Sequence, residues 1–557
     1  MKQNKIFQQQ KMTSPRMSAF DLSREQKLTC RMGELVPTYL EEVLPGDQFR
    51  VKTESLVRFA PMLAPIMHRV DVFMHYFFIP NRILWNDWEN FITGDRDVPA
   101  PGQTNLLTEL KVPTYNVNSN VANAKPNNIA TDERKLADYL GLPVNNIGDG
   151  ITQNLYVSQL PFRAYQQVYN DYYRDQNFED EVDYTSVVNY AKLRYRKYEK
   201  DYFTSALPWP QRNSTPVGVP IDVNYLPQSQ FYGATDGTFN DDGSVQGGTG
   251  TMTTANAYLT RGTVSGSAGN VYGGLNSTAG GRIENLAASL DFQINELRKA
   301  SALQRWFEKQ ALGGHRYIET IYSHFGVKSS DRRLQRAEYL GGGKTPVLVS
   351  EVLNTSATTA QDGSYQPQGT MTGHGISSGQ STAFQTQVEE HGYIMGIMSI
   401  MPKPAYSQGV PRHFLRQEKF DYFWPELANL GEQEVKDVEI YVDDTSITKT
   451  DATETVPTNQ NPITLPTFGY QQRYAEYKYG QNTIHGDFRD TLDYWHMSRQ
   501  FSSQPKLNEL FHEVSPEDDS ITNVFAVTAK VDTCWVQLYH DVKARRPMPY
   551  FANPSLI

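Results

Sequence analysis

Residues 47 to 59 constrain the fold of this chain more than any other stretch. Their sequence, Asp-Gln-Phe-Arg-Val-Lys-Thr-Glu-Ser-Leu-Val-Arg-Phe, alternates with only Leu56 out of step. Phe49, Val51, Thr53, Ser55, Val57 and Phe59 fall on one face, and Gln48, Arg50, Lys52, Glu54 and Arg58 on the other. Successive side chains of a strand point to opposite faces, so this is a half-buried strand with one wet side. A proline-punctuated turn (Pro61, Pro65) leads to Val-Asp-Val-Phe-Met-His-Tyr-Phe-Phe-Ile at 70 to 79, a strand covered on both sides. Pro80 ends it, because proline cannot donate to a ladder.

Further strands are expected at Tyr393 to Met401, at Glu434 to Val442 and at Phe525 to Tyr539. Helices are expected after Asn86, which can cap with Glu89 three residues on, and around Glu133 to Leu140. Two more are expected over Phe162 to Tyr173 and from Leu286 to Phe307. Residues 213 to 281 are a different material: 14 of these 69 residues are Gly, with abundant Ser, Thr and Asn, four Asp and one Arg. Such a stretch cannot bury its own core and reads as disorder or as an insertion ordered by neighbouring subunits. A second small-polar block covers about 354 to 387.

Nothing repeats at a fixed period, which argues against solenoids and propellers. Strands near both ends, with long connections between them, suit a jelly roll, whose first and last strands are neighbours. The expected fold is therefore mainly β: a single eight-stranded jelly roll with very long inter-strand insertions that contain several helices. The chain divides into a basic arm and lead-in (1–46), first strands with helical loops (47–212), a surface insertion (213–281), and a final part with a helix, the remaining strands and a C-terminal arm (282–557).

Composition narrows the function. Of 557 residues, 39% are hydrophobic and 20% charged, both low for a globular chain, and 33 are Tyr. Tyrosine gives contact area at low entropic cost, which fits large wet interfaces, although it is common in any β-rich protein. A net charge of −10 excludes a uniformly basic nucleic-acid coat, so any DNA contact is local. Cys30 and Cys534 are the only cysteines, so no disulfide framework is implied and a reduced, intracellular assembly site fits. The longest apolar run, Tyr393 to Met401, is too short to span a bilayer, so no membrane insertion is expected. The polar, Gln-rich N-terminus carries no apolar run of the secretory type.

Motif matches for catalysis are weak. Gly341-Gly342-Gly343-Lys344-Thr345 lacks the first glycine of a phosphate loop, has Pro346 where a helix should begin, and reads as a turn into a strand at Val347. Gly375-Ile376-Ser377-Ser378-Gly379 matches a nucleophile elbow only formally, lying in a small-polar block. His512-Glu513 has Pro516 where a zinc-binding helix needs its second His. Neither a cofactor nor a metal is expected.

The words "PMLAPIMHRVDVFMHYFFIPNRILW" (61–85) and "MSAFDLSREQKLTCRMGELVPTYLEEVLPGD" (17–47) resemble the major capsid proteins of gokushovirus-type microviruses, small single-stranded DNA bacteriophages. So do "YFTSALPWPQR" (202–212), "FGYQQRYAEYKYGQNTIHGDFRD" with "LDYWHMSRQF" (468–490, 492–501), and "RRPMPYFANPSLI" (545–557). The resemblance implies a single jelly roll that assembles into a T=1 icosahedral shell around circular single-stranded DNA in the host bacterial cytoplasm. It also implies a small basic DNA-binding virion protein as partner, and a three-fold protrusion made by residues 213–281 that engages a host cell-surface receptor. Asn213, Tyr232, Tyr258, Tyr272 and Gly281 mark that insertion as the candidate attachment site.

Two groups of cations are candidates for DNA contact, since phosphate recognition needs only Lys and Arg. One is Lys2, Lys5, Lys11, Arg16, Arg24, Lys27 and Arg31, opposed by only Asp21 and Glu25; the other is Lys543, Arg545 and Arg546. A solvated tail is the alternative for the first and surface salt bridging for the second. Phe7, Phe20, Tyr550 and Phe551 could stack unpaired bases or dock the tails. The rival functions are a trimeric receptor- or glycan-binding phage spike, and a hydrolase using paired acids such as Glu389-Glu390 or Asp518-Asp519.

Overall fold

In the computed structural model, the alternating stretch is a strand, Gln48–Phe59, and all six residues of its apolar face are buried while Leu56 is half-buried. The structure describes residues 15–93, 111–116, 132–142, 155–184, 187–209, 317–327, 335–353, 368–380, 383–428, 431–443, 465–527 and 531–551, with short pieces at 355, 358–359 and 365–366. In chain order the strands begin with β1 (Ser18–Asp21), β2 (Arg24–Cys30), β3 (Val36–Val43), β4 (Gln48–Phe59), β5 (Val70–Pro80) and β6 (Thr114–Asn116). There follow β7 (Tyr156–Ser158), β8 (Glu338–Pro346), β9 (Leu348–Leu353), β10 (Thr358–Thr359), β11 (Tyr365–Gln366) and β12 (Met371–Gln380). The last are β13 (Phe384–Gln387), β14 (Gly392–Pro402), β15 (Glu432–Lys436), β16 (Thr467–Gln472) and β17 (Cys534–Arg546).

The described fold is mainly β, with antiparallel pairing in every sheet. A seven-stranded sheet has β17 and β4 at its centre, paired from Cys534↔Phe59 to Arg545↔Gln48. The far edge of β17 takes β2 and then β1, while β4 takes β12 and then β13, with β9 beyond β12. The second sheet runs β3-β14-β5-β8, with β14 and β5 in register from Gly392↔Pro80 to Pro402↔Val70. Pairs β6–β7, β10–β11 and β15–β16 are separate ribbons.

The two main sheets share one core. Phe49, Val51, Val57 and Phe59 of β4 and Val536, Leu538 and Val542 of β17 lie in the same buried cluster as Val72, Met74 and Tyr76 of β5 and Ile394, Met398 and Ile400 of β14. Burying each such side chain contributes roughly 1.5–3 kcal/mol. The opposite face of the small sheet is covered as well: Phe77, Ile79, Met395 and Ile397 pack with Phe162, Tyr165 and Val168 of helix Leu160–Val168. That helical layer explains why β5 carries no wet side, unlike β4. Thr53 sits on the apolar face of β4 because its hydroxyl links the sheets, lying 2.5 Å from the donating Tyr76 Oη and 2.8 Å from His540 Nδ1.

Several expectations need correction. The helix expected after Asn86 is present as Trp88–Thr93, but a further short helix not expected, Asn81–Leu84, precedes it and ends at Trp85, which is extended (φ −150°). The Phe162–Tyr173 helix is Leu160–Val168 followed by a wider π turn at Tyr169–Tyr173. The strand expected from Phe525 begins only at Cys534, since Phe525 is drawn into the core against Phe59 (ring centroids 6.1 Å), with an isolated bridge to Met62. Of the strand expected over 434–442 only 434–436 is extended, as the end of β15, and a 3-10 turn follows at Asp437–Glu439. Gly341 to Thr345 form no turn but part of β8; a side chain on Gly342 would lie 2.5 Å from the Met74 carbonyl oxygen, so only glycine permits this approach. The helix expected at 286–307 lies outside the described residues.

A buried ionic cluster ties the segment after β2 to helix Asp132–Tyr139 and to the approach to β17. Glu34, fully buried, accepts from Lys135 Nζ at 2.8 Å and from Arg31 Nε at 3.1 Å, and Lys135 also reaches Asp532 at 2.8 Å. Removing one member of such a group strands buried charge. Glu34→Ala is expected to destabilise the fold by roughly 3–5 kcal/mol in chemical denaturation.

Burial lowers the pKa of His68, His75, His391 and His540 to about 4 and that of His512 to about 3. Unfolded histidine titrates near about 6.5, so the unfolded chain takes up these protons first. Their contribution to stability is complete above that value and is lost as pH falls toward 4. Burial raises Asp47 to about 6 and also raises Asp138, Glu338, Asp437, Glu439 and Glu513, which works in the opposite direction and offsets part of the histidine effect. Urea midpoints measured from pH 7 to 5 are expected to fall steadily, with net proton uptake on unfolding; a flat profile would contradict this assignment.

Candidate nucleic-acid interface

The two cationic groups separated by almost the full chain length meet in one sheet. β1 pairs with β17 from Ser18↔Arg546 to Asp21↔Lys543, and β2 pairs from Arg24↔His540 to Cys30↔Cys534. Strand alternation then decides which cations face outward. On β17, Val536, Leu538, Val542 and Ala544 are buried, while Trp535, Gln537, Tyr539, Lys543 and Arg545 lie on the outer face.

Arg24 pairs with Glu41 at 2.8 Å, donates to the Leu40 carbonyl and stacks over Tyr39. Arg31 is 9% exposed and held by Glu34. Arg546 lies 3.1 Å from Glu41 and 3.6 Å from Asp47, over the ring of Phe49. These three fasten the sheet edge. Lys27, exposed, is only 4.0 Å from Glu25, and Arg16 is exposed ahead of β1. Lys543 pairs with Asp21 at 2.5 Å, and its hydrogen bond pulls the Asp21 carboxyl down to about 2. Arg545 is exposed and makes no ion pair among the described residues. Lys2, Lys5 and Lys11 lie outside the described residues, as do Asn213, Tyr232, Tyr258, Tyr272 and Gly281.

Neighbouring strands add cations that the terminal groups alone did not suggest. Arg50 lies across from Lys543, Lys52 from Asp541, and Arg58 from Trp535. Arg50 and Arg58 are exposed and unpaired among the described residues. On the same face Trp535, across from Arg58, and Tyr539, across from Glu54, are 47% and 41% exposed. Their alternation had already placed Arg50, Lys52 and Arg58 on the wet side of β4; only the pairing with β17 shows that they extend the C-terminal cations. The outer face also holds Glu25, Glu54 and Asp541, so it is a mosaic rather than a uniform basic patch. Such a surface can hold a phosphate backbone by charge and offer rings to unpaired bases. Of the terminal aromatics, Phe20 and Tyr550 stack on each other at 5.7 Å, which docks the C-terminal segment, while Phe551 is 76% exposed; Phe7 lies outside the described residues.

The alternative chemistries find structural roles instead. Lys344 pairs with Asp71 at 2.9 Å inside the sheet. Ser377 is buried in β12, where its hydroxyl donates to the Pro346 carbonyl at 3.0 Å, with no helix following. Glu390 is held by Arg82 at 2.7 Å, and Asp518 caps helix Asp519–Thr522. Among the described residues no His, Cys, Asp and Glu cluster could hold a metal, and no helix is long and apolar enough to cross a membrane.

Comparison with known proteins places the chain in a family. A family model described as capsid protein (F protein) matches residues 8–556. Capsid protein VP1 of Chlamydia phage 1 is 34% identical, with 97% of this chain and 96% of the relative aligned. VP1 of Bdellovibrio phage phiMH2K is 32% identical over 89% and 87%, and that of Spiroplasma virus 4 is 28% identical over 94% and 92%. The chain belongs to the capsid protein (F protein) family, in its gokushovirus-type microvirus branch, and its role is structural rather than enzymatic.

Proposed function

We propose that the two main sheets are one eight-stranded jelly roll, and that copies of it close into a T=1 icosahedral shell around circular single-stranded DNA. The observation that carries this reading is the order of the strands. Taken along the chain, β2, β3, β4, β5, β8, β12, β14 and β17 fall in the order large, small, large, small, small, large, small, large, changing sheet at every step except β5 to β8. The first and last of them are neighbours, as a jelly roll requires. The short β1, β9 and β13 extend this frame. In a closed shell each subunit is held by several neighbours at once, so single contacts can be weak and wet.

The outer face of the large sheet, with Arg50, Arg58, Lys543 and Arg545, turns toward the genome and is the phosphate-contacting surface. The N-terminal Lys2, Lys5, Lys11 and Arg16 extend it, and a small basic virion protein shares the DNA. Residues 213–281 form the three-fold protrusion that meets the host receptor. The particle assembles in the bacterial cytoplasm and the protein ends in the virion.

Electron microscopy of the expressed protein and of particles containing it tests the central claim. Closed icosahedral shells with density above the three-fold axes are expected; free monomers, or isolated trimers decorating another shell, would replace this reading with that of a spike. Replacing Arg50, Arg58 and Arg545 together by Gln is expected to leave the thermal midpoint within about 1 kcal/mol of equivalent stability, since exposed substitutions are nearly neutral. The same variant should flatten the salt dependence of single-stranded DNA binding by about 0.7 in log–log slope per lost contact. Deleting 213–281 should preserve β-sheet circular dichroism and abolish host attachment; loss of the sheet signal would remove the insertion assignment.

A further inference from the structure

The two cysteines lie at opposite ends of the sequence and face each other in the fold. Cys30 is the last residue of β2, Cys534 is the first of β17, and the register pairs them directly. Both belong to the core between the sheets, with 1% and 0% exposure. Opposed residues of antiparallel strands have Cα atoms about 4.5–5.5 Å apart, within the span of about 4.4–6.8 Å that a disulfide bridges. Their side chains leave the sheet on the same face. Contact between the thiols, together with burial, holds Cys30 well above the usual cysteine range. A cavity of about 450 Å³ is lined not by the cysteines themselves but by their chain neighbours Arg31, Met32 and Thr533, with half-exposed Leu63 and Val531.

We propose that Cys30 and Cys534 are a modification site: in the folded protein they form an intrachain disulfide when exposed to a disulfide oxidant such as glutathione disulfide. One protein thiol gives up its proton, and its thiolate attacks the oxidant, releasing one glutathione thiolate that takes up a proton. The second protein thiol, deprotonated in turn, attacks the mixed disulfide, and the other glutathione leaves as thiol. The protein loses two hydrogens and two electrons, and one glutathione disulfide becomes two glutathione molecules. Because the thiolate is the attacking species, burial makes the first step slow at neutral pH and faster as pH rises. The product closes a loop of nearly the whole chain, and the restriction that a disulfide places on the unfolded state grows with loop length.

The test uses the purified full-length protein, held with glutathione disulfide at mildly alkaline pH while circular dichroism verifies that it stays folded. Peptide mass spectrometry without reduction, after alkylation in denaturant, is expected to find the peptide bearing Cys30 joined to the peptide bearing Cys534. The denaturation midpoint should rise and return on adding dithiothreitol. Two alkylated thiols after prolonged incubation, glutathione adducts on both cysteines, or a disulfide between two copies would each overturn the proposal. Cys30→Ser and Cys534→Ser should each abolish the oxidant-dependent shift, and a shift that survives in either variant would also overturn it. The comparison of oxidised and reduced wild-type protein decides the matter even where a variant folds poorly.

Discussion

The antiparallel pairing of β4 with β17 is the contact on which most of the molecule rests. It is the longest ladder of the large sheet and joins residues nearly 500 positions apart in sequence, so its entropy of closure is set against twelve register pairs and the apolar face they create. Once these strands are side by side, β17 offers its other edge to β1 and β2, and β4 offers its own to β12 and β13. The inner face becomes continuous enough to meet β5 and β14. The outer face becomes a single surface in which cations from both ends of the chain stand together. Core and candidate interface are therefore two sides of one pairing.

The second sheet follows a different logic. β5 and β14 are buried on both faces because a helical layer, built around Phe162, Tyr165 and Val168, covers the side away from the core. The result is a sequence of layers: wet face, large sheet, core, small sheet, helices. Tyrosine is prominent in the helical layer, where Tyr165 Oη donates to the Leu35 carbonyl at 2.8 Å and Tyr169 Oη reaches Glu179 at 2.6 Å. Buried tyrosine here supplies both packing area and a satisfied polar tip. The 33 Tyr are therefore not explained by surfaces between subunits alone.

The strands most legible in the sequence were those with a strong period or an unbroken apolar run: β4 and β5 lie within one residue of their expected bounds, and β14 likewise. The polar strands were hidden. β2 reads Arg-Glu-Gln-Lys-Leu-Thr-Cys and β12 reads Met-Thr-Gly-His-Gly-Ile-Ser-Ser-Gly-Gln, compositions that suit a tail or a loop until a neighbour supplies their hydrogen bonds. Propensity in strands is a property of what lies alongside, which explains why these were invisible. The same holds for the candidate interface. Lys543 and Arg545 were identifiable as cations, but the involvement of Arg50 and Arg58 depends on cross-strand register. Conversely, Arg24, Arg31 and Arg546 were indistinguishable by sequence from free cations, and only the acids folded against them, Glu41, Glu34 and Asp47, reveal their fastening role.

The position of β17 also sets a schedule. A chain is synthesised from its N-terminus, so β1, β2 and β4 emerge from the ribosome hundreds of residues before the strand that separates them. Until β17 arrives, β4 presents an apolar face and an open edge, the features that make nascent β-proteins prone to wrong pairing. The large sheet cannot be completed until β17, made almost 500 residues after β4, has left the ribosome. Completion is an event of high contact order, and therefore slow. A chain that lacks β17 is thus barred from presenting the finished outer surface, so that competence to assemble comes only once that strand is in place.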